Sequence, residues 1–262
     1  MNVFNTVSLE DLKKQLKISP MQVFRSLHTL HGLLVFGVIF LLLLPIFLII
    51  IPFKGLHVMA YRLNRLWAWL LFAGMFMPPI VKVKGTLNKN RQYVLCANHF
   101  SHADIPTLGL VPVNFIFVGK ASLSKIPVFG FMFSKLHITV DRSNMRDRYA
   151  AMERSMAAVD RGLSLAIFPE GGIVTPNPPQ MVKFKDGAFR VAIEKQVPIL
   201  PVTIPHNWQI LPDHKQLRVH WKRPLVIVHE PIETKGLTLD DMKALKAKVY
   251  DTIDAELKTY HP

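Results

Sequence analysis

From Leu33 to Phe53 the chain runs 21 residues without a polar side chain, interrupted only by Gly37, Pro45 and Pro52. At a rise of ~1.5 Å per residue, such a run bridges the ~30 Å hydrocarbon core of a bilayer as a helix. Helix is the conformation expected, because backbone groups in lipid must satisfy one another. The polar lead before the run is too long for a cleavable signal, and no small-residue cleavage site follows it. Pro45 removes one helical hydrogen bond, so a kink is expected there. A second apolar stretch, Leu66 to Val81, follows Arg62 and Arg65, closes on Pro78-Pro79 and carries Trp67 and Trp69, residues suited to a membrane interface. Its 16 residues are marginal for a full crossing. The two stretches therefore read as a membrane-associated helical hairpin, shallow, re-entrant or spanning, with both ends on the cytoplasmic side.

The charge distribution agrees with a membrane partner. Half of the residues are hydrophobic, yet the net charge is +14. Residues 54–165 hold 15 Lys and Arg against 5 Asp and Glu, whereas residues 166–262 hold 13 against 11. A basic face beside a hydrophobic anchor meets anionic headgroups, at about 1 kcal/mol per residue near the surface. A nucleic-acid groove would use the same charge, but no zinc-finger spacing, RNP-like aromatic motif or Lys/Arg-rich tail accompanies it, and no nucleic-acid partner is expected. The single cysteine, Cys96, excludes an internal disulfide and fits a reducing, cytoplasmic setting. It reads as a small buried hydrophobe in a strand, with a thiol nucleophile as the competing reading.

Beyond Val81 short apolar runs alternate with helical patterns, which predicts an α/β fold: a mixed, mainly parallel sheet flanked by helices. The strand candidates are Tyr93–Ala97, Asn114–Val118, His137–Val140, Ser164–Phe168 and Ile199–Ile204. Leu217–Trp221 and Leu225–His229, separated by Lys222-Arg223-Pro224, resemble a hairpin at a sheet edge. The helix candidates are Arg148–Val159, Gly187–Lys195 and Asp240–Thr259, the last preceded by a capping signature in Thr238 and Asp241. The chain thus divides into an amphipathic segment at 1–31, a hydrophobic segment at 32–81 and an α/β domain at 82–262, with the motif-bearing core at about 90–210.

The chemistry concentrates after the first of those strands, in Asn98-His99-Phe100-Ser101-His102-Ala103-Asp104. A general base needs an imidazole within reach of a proton and a carboxylate to fix its tautomer. Five residues along a helix turn about 500°, which leaves His99 and Asp104 on different faces. They meet only if His99 lies on the loop leaving the strand and Asp104 in the first turn beyond it, and Asp104-Ile105-Pro106 reads as such a start, with Asp as cap. Taken alone, the pair is also readable as a surface histidine and an ordinary cap. Further strand-end residues fall where the ligand crevice of an open α/β sheet lies: Lys120, Arg142 and the turn Phe168-Pro169-Glu170-Gly171-Gly172. His99, His102 and Asp104 allow a metal reading, but His137, His206, His214 and His220 form no second compact motif, so no metal is expected.

His99 and Asp104 in the order H-x-x-x-x-D, the FPEG block at 168–171 and the Val197–Pro201 segment together resemble the glycerophospholipid acyltransferases, in particular bacterial 1-acylglycerol-3-phosphate acyltransferases. The resemblance covers roughly residues 80–210. It implies that His99 deprotonates the free hydroxyl of a lysophospholipid, that Asp104 holds the imidazole, and that the oxygen attacks the thioester of acyl-CoA or acyl-carrier protein without a covalent acyl-enzyme or a cofactor. It further implies that Glu170 and Gly171 receive the glycerol end of the acceptor and that Arg142, with Lys120 nearby, faces the phosphate. One departure stands out: the family commonly reads FPEGTRS, and here the text is FPEGGIVT, with Ile173 at the position of the phosphate-binding arginine. Lys183 or Lys185 then supplies that charge, or the acceptor is another lysolipid, including an amino-acid lipid. The implied place is the inner (cytoplasmic) membrane, with the α/β domain facing the cytoplasm. A non-catalytic, membrane-tethered lipid-binding protein and a metal-dependent hydrolase are the alternatives of another class.

Overall fold

The computed structural model describes residues 20–213 and 217–261. The amino-terminal expectation for residues 1–19 lies outside them. Helix α1, Pro20–Ile50, runs unbroken through residues 31 and 32 and through Pro45. A single 3-10 turn at Lys54–Leu56 reverses the chain into α2, His57–Gly74. The two helices pack antiparallel: the His31 ring nitrogen Nε2 hydrogen-bonds the Gly74 carbonyl at 2.9 Å, and a Cβ at Gly74 would lie 2.8 Å from Val35.

The remainder is a seven-stranded sheet in the order β1-β7-β6-β2-β5-β3-β4. Its strands are β1 Ile80–Val83, β2 Val94–Ala97, β3 Phe115–Lys120, β4 Ile138–Val140, β5 Ser164–Ile167, β6 Ile199–Thr203 and β7 Leu225–Val228. β2 to β6 are parallel; β7 runs antiparallel to β6, and β1 follows β7 in parallel. The helices between them are α3 Asp104–Leu108, α4 Phe129–Leu136, α5 Met145–Asp160, α6 Gly187–Glu194, α7 Asn207–Ile210 and α8 Met242–Tyr260. The Thr238/Asp241 capping box precedes α8 as the sequence predicts.

All four residues of β2 are buried, because both faces of the sheet are covered. Val94 and Cys96 join a core with residues of α5, α6 and α8. Leu95 and Ala97 point the other way, into a core shared with Ala68, Leu71 and Phe72 of α2 and Leu108 of α3. The hairpin is therefore one of the layers of the fold. Its outer side keeps a broad apolar surface, with Leu41, Leu42 and Ile49 more than 60 % exposed.

Two strand assignments differ from expectation. Residues 217–221 form no strand: the Val219 N–H donates to Thr29 Oγ1 at 2.9 Å, and Trp221 Nε1 donates to the Phe76 carbonyl at 2.9 Å. The alternating pattern there serves docking onto the helical hairpin instead of a sheet edge. β7 pairs with β6 and β1, and β1 was hidden because Ile80-Val81 merges with the apolar run before it and its other residues are exposed.

Candidate active site

β2 lies at the centre of the sheet, between β5 and β6, and the carboxyl ends of the three strands are level: Cys96 is opposite Ile167 and Pro201, and Ala97 is opposite Val202. The loops that leave these ends meet above the sheet. His99 Nδ1 donates to Asp104 Oδ2 at 3.0 Å. The N–H groups of Phe100 and Ser101 donate to the same oxygen at 2.7 and 2.8 Å. An ionised carboxylate only accepts, so Nδ1 holds the proton and Nε2 keeps its lone pair. The five-residue spacing succeeds because a loop intervenes. Asp104 is the first residue of α3 and Ala103 takes the cap position, so the carboxylate turns back to order the loop instead of capping the helix. The His99 side chain is 11 % exposed and that of Asp104 1 %, which leaves the imidazole as the accessible partner. The Asp104 Oδ1 atom is buried without a hydrogen-bond partner. Beneath them Cys96 is fully enclosed, and burial pushes its thiol up, away from the reactive thiolate form.

Glu170 follows β5. Its Oε1 accepts the His99 N–H at 2.7 Å and its Oε2 accepts the Val182 N–H at 3.1 Å. Both oxygens are thus engaged with backbone, and the carboxylate joins the His99 loop to the 181–186 loop instead of standing free for a glycerol hydroxyl. Burial pushes the Glu170 carboxyl up to about 7, against the pull of the two N–H donors. The Phe168 ring stacks on the His99 imidazole, centroids 3.9 Å apart and planes 13° apart. Asn98 ties the loop to β6: its Nδ2 donates to the Ile204 carbonyl at 2.9 Å, and its Oδ1 accepts the Ile204 N–H at 2.8 Å. Sequence reasoning gave neither Asn98 nor Phe168 a role. The available signal was an amide, donor and acceptor in one side chain, placed where two strand ends must be joined.

A basic cavity of about 760 Å³ opens beside Phe168. Gly171, Arg142, Lys183 and Lys185 line it. The Arg142 guanidinium donates to the Gly171 carbonyl, and the Lys185 ammonium lies over the glycine, where a Cβ would come within 2.4 Å of Nζ. Gly171 also adopts φ +87°, a backbone conformation that a residue with a side chain enters only under strain. Ile173 is not part of the lining. Lys120 lies outside it too: it ends β3, exposed, opposite Val140 and close to the Asp141 charge. The structure thus brings seven of the eight expected residues to one region and leaves Lys120 apart.

On the other side of the His99 loop, His102, Ala103, Ile105 and Pro106 line a second cavity of about 620 Å³. Its walls are almost wholly apolar, from Phe36, Trp67 and Leu71 of the hairpin to Phe117 and Phe133 of the α/β part. His102 is exposed, with Nε2 3.8 Å from Asp213 Oδ1. Among the described residues no group of three or more His, Cys, Asp or Glu gathers as a metal site, and His214 lies outside them.

Comparison with known proteins gives this geometry a family. The acyltransferase family model matches residues 80–205. A 1-acyl-sn-glycerol-3-phosphate acyltransferase of Haemophilus influenzae is 30 % identical over 171 residues, covering 63 % of this chain and 68 % of the relative. A chloroplastic 1-acyl-sn-glycerol-3-phosphate acyltransferase of Brassica napus is 28 % identical over 64 % of this chain, and the match spans about half, 48 %, of that longer relative. The crystal structure of the 1-acyl-sn-glycerophosphate acyltransferase from Thermotoga maritima shares the fold, with a TM-score of 0.75 at 20 % identity over 92 % of this chain and 97 % of that one. The H-x-x-x-x-D and FPEG loops both fall inside the matched region, and the chain belongs to the acyltransferase family that includes the 1-acyl-sn-glycerol-3-phosphate acyltransferases.

Proposed function

We propose that this protein is a membrane-associated O-acyltransferase of phospholipid biosynthesis, which moves a fatty acyl group from a thioester to the free hydroxyl of a lysophospholipid, 1-acylglycerol-3-phosphate foremost, to give phosphatidic acid. The observation that carries the reading is the position of the His99–Asp104 dyad, held between a basic cavity and an apolar one. An amphiphilic acceptor needs both environments. Each buried methylene contributes ~0.8 kcal/mol in the apolar cavity, and cations complement a phosphate in the other.

The chemistry follows from the tautomer. His99 Nε2 takes the proton of the acceptor hydroxyl while the oxygen attacks the thioester carbonyl; the new C–O bond forms, the C–S bond breaks, and the proton returns to the leaving thiolate. Asp104 stabilises the transient imidazolium. No acyl-enzyme and no cofactor is required. The departure at Ile173 favours a second acceptor class, a lysolipid with another headgroup or an amino-acid lipid, because the motif position carries no cation here and Arg142, Lys183 and Lys185 of the cavity lining stand in for it. The exposed apolar face of α1, the one described helix long and apolar enough to cross a membrane, supports attachment to a membrane, and the proposed place is the cytoplasmic membrane with the α/β part facing the cytoplasm.

The test is an acceptor panel with the purified chain in detergent and product mass as readout. His99→Ala should lower kcat by about 10³-fold or more while leaving circular dichroism unchanged. Transfer that survives this substitution, or that requires a chelatable metal, overturns the reading.

A further inference from the structure

The basic cavity is larger and more cationic than a glycerophosphate group requires. Two of its cations are already matched: Arg190 Nε donates to Glu194 Oε1 at 2.6 Å, and Lys246 Nζ donates to Asp186 Oδ1 at 2.5 Å. Arg142 and Lys185 gather at the Gly171 turn. Arg148 belongs to a separate bank of the lining, the first turn of α5, and makes no ion pair among the described residues. Beside it on the same bank stand Tyr149 and Met145, 65 % and 60 % exposed, with Met152 further along the helix. An uncommitted aromatic ring, flanking thioethers and a free guanidinium form a surface for a purine and its phosphates, by stacking on the ring and by charge-assisted hydrogen bonds from the arginine.

We propose that the α5 bank, through Met145, Arg148 and Tyr149, is a nucleotide subsite that holds the 3′-phosphoadenosine end of a coenzyme A thioester. The acceptor phosphate takes the Arg142, Lys183 and Lys185 side. The proposal rests on the acyl-transfer reading and names the carrier of its donor. Phe168 lines the same cavity and stacks on His99, so a pantetheine arm leaving this bank is directed towards the base. Transfer releases the carrier as free thiol, with the acceptor's proton returned to sulfur, and no redox step is involved. The exposed Tyr149 ring decides between the two carriers: it gives an adenine a face to stack on, whereas an acidic carrier protein would engage only the cations and leave the ring unused.

The experiment uses the full chain in detergent and two readouts. Adenosine 3′,5′-bisphosphate, titrated by calorimetry, should bind the wild type, and Tyr149→Ala or Arg148→Ala should weaken it about tenfold or more, with Arg148→Lys intermediate. In steady-state assays the same substitutions should raise the KM for acyl-CoA about tenfold and leave kcat and the KM for the lysophospholipid within about twofold. Absence of binding to the wild type, equal binding by all variants, or a KM change on the acceptor overturns the subsite, as does transfer from acyl-carrier protein that adenosine 3′,5′-bisphosphate does not inhibit. Because the titration needs no turnover, a chain that binds the nucleotide and acylates no acceptor overturns the reaction class and leaves the subsite standing.

Discussion

The base proposed in His99 needs one ring nitrogen committed, and Asp104 holds Nδ1 with a single oxygen that also accepts from Phe100 and Ser101. Glu170 performs the companion task from the other loop by accepting the N–H of His99 itself. Its burial has a consequence for stability. Because the folded carboxyl sits at about 7 and the ordinary value is 4.5, the folded chain takes up a proton between those limits. Stability from this group is therefore greatest at low pH and declines as pH rises from about 4.5 to about 7, by on the order of 3 kcal/mol, and is level above. Glu170→Gln cannot titrate. The difference in unfolding free energy between wild type and variant should accordingly change across this window and stay constant above it, as read by denaturant titrations at several pH values. A difference that is constant from pH 4.5 to 8 counts against the buried-carboxyl account.

At the scale of elements, the site is a matter of level strand ends. β2, β5 and β6 finish side by side, and three short ties keep their loops in register: Asn98 to Ile204, Glu170 to His99 and Val182, and the Ser101 hydroxyl to the Leu211 carbonyl at 2.7 Å. Of these, Asn98 is fully buried and satisfies both backbone groups of Ile204. Asn98→Ala strands a buried N–H and a buried C=O, each worth ~1–3 kcal/mol, so a loss of about 2–4 kcal/mol is expected in urea unfolding. Activity should fall with it, since the same loop carries His99. A loss below about 1 kcal/mol contradicts the role assigned to the tie.

For the whole molecule, the hairpin has two faces with different duties. The inner face of α2 covers the sheet through Ala68, Leu71 and Phe72, and the outer face of α1 offers Leu42 and Ile49, 70 % and 65 % exposed, to its surroundings. Replacing both outer residues, whose side chains are mostly exposed, with Asp inserts two charges at a cost of up to ~2.5–3.5 kcal/mol each in the centre of a bilayer. The double variant should shift from vesicle-bound to free in co-sedimentation and keep its circular dichroism spectrum. Retained vesicle binding would show that another surface anchors the protein.

The amino-acid order alone was enough for the long apolar helix, the α/β class and the meeting of His99 with Asp104, because these depend on local quantities: an uninterrupted apolar run, a periodicity switching between strand and helix, and residue types at a strand end. It was not enough wherever a residue's role depends on a distant partner. Residues 217–221 alternate like a strand, yet their donors go to Thr29 and their indole to Phe76, far away in the chain. Ile80–Val83 became a strand only because β7 was there to pair with it. Lys120 and Arg142 are equivalent as charges in the text, and the packing of α5 and the Gly171 turn decides that one lines the cavity and the other does not. Sequence, then, settles what each segment prefers through short-range sterics and hydrophobicity. Which preferences meet at one site is decided by tertiary packing, since hydrogen bonds and cavities form between residues that only the fold brings together.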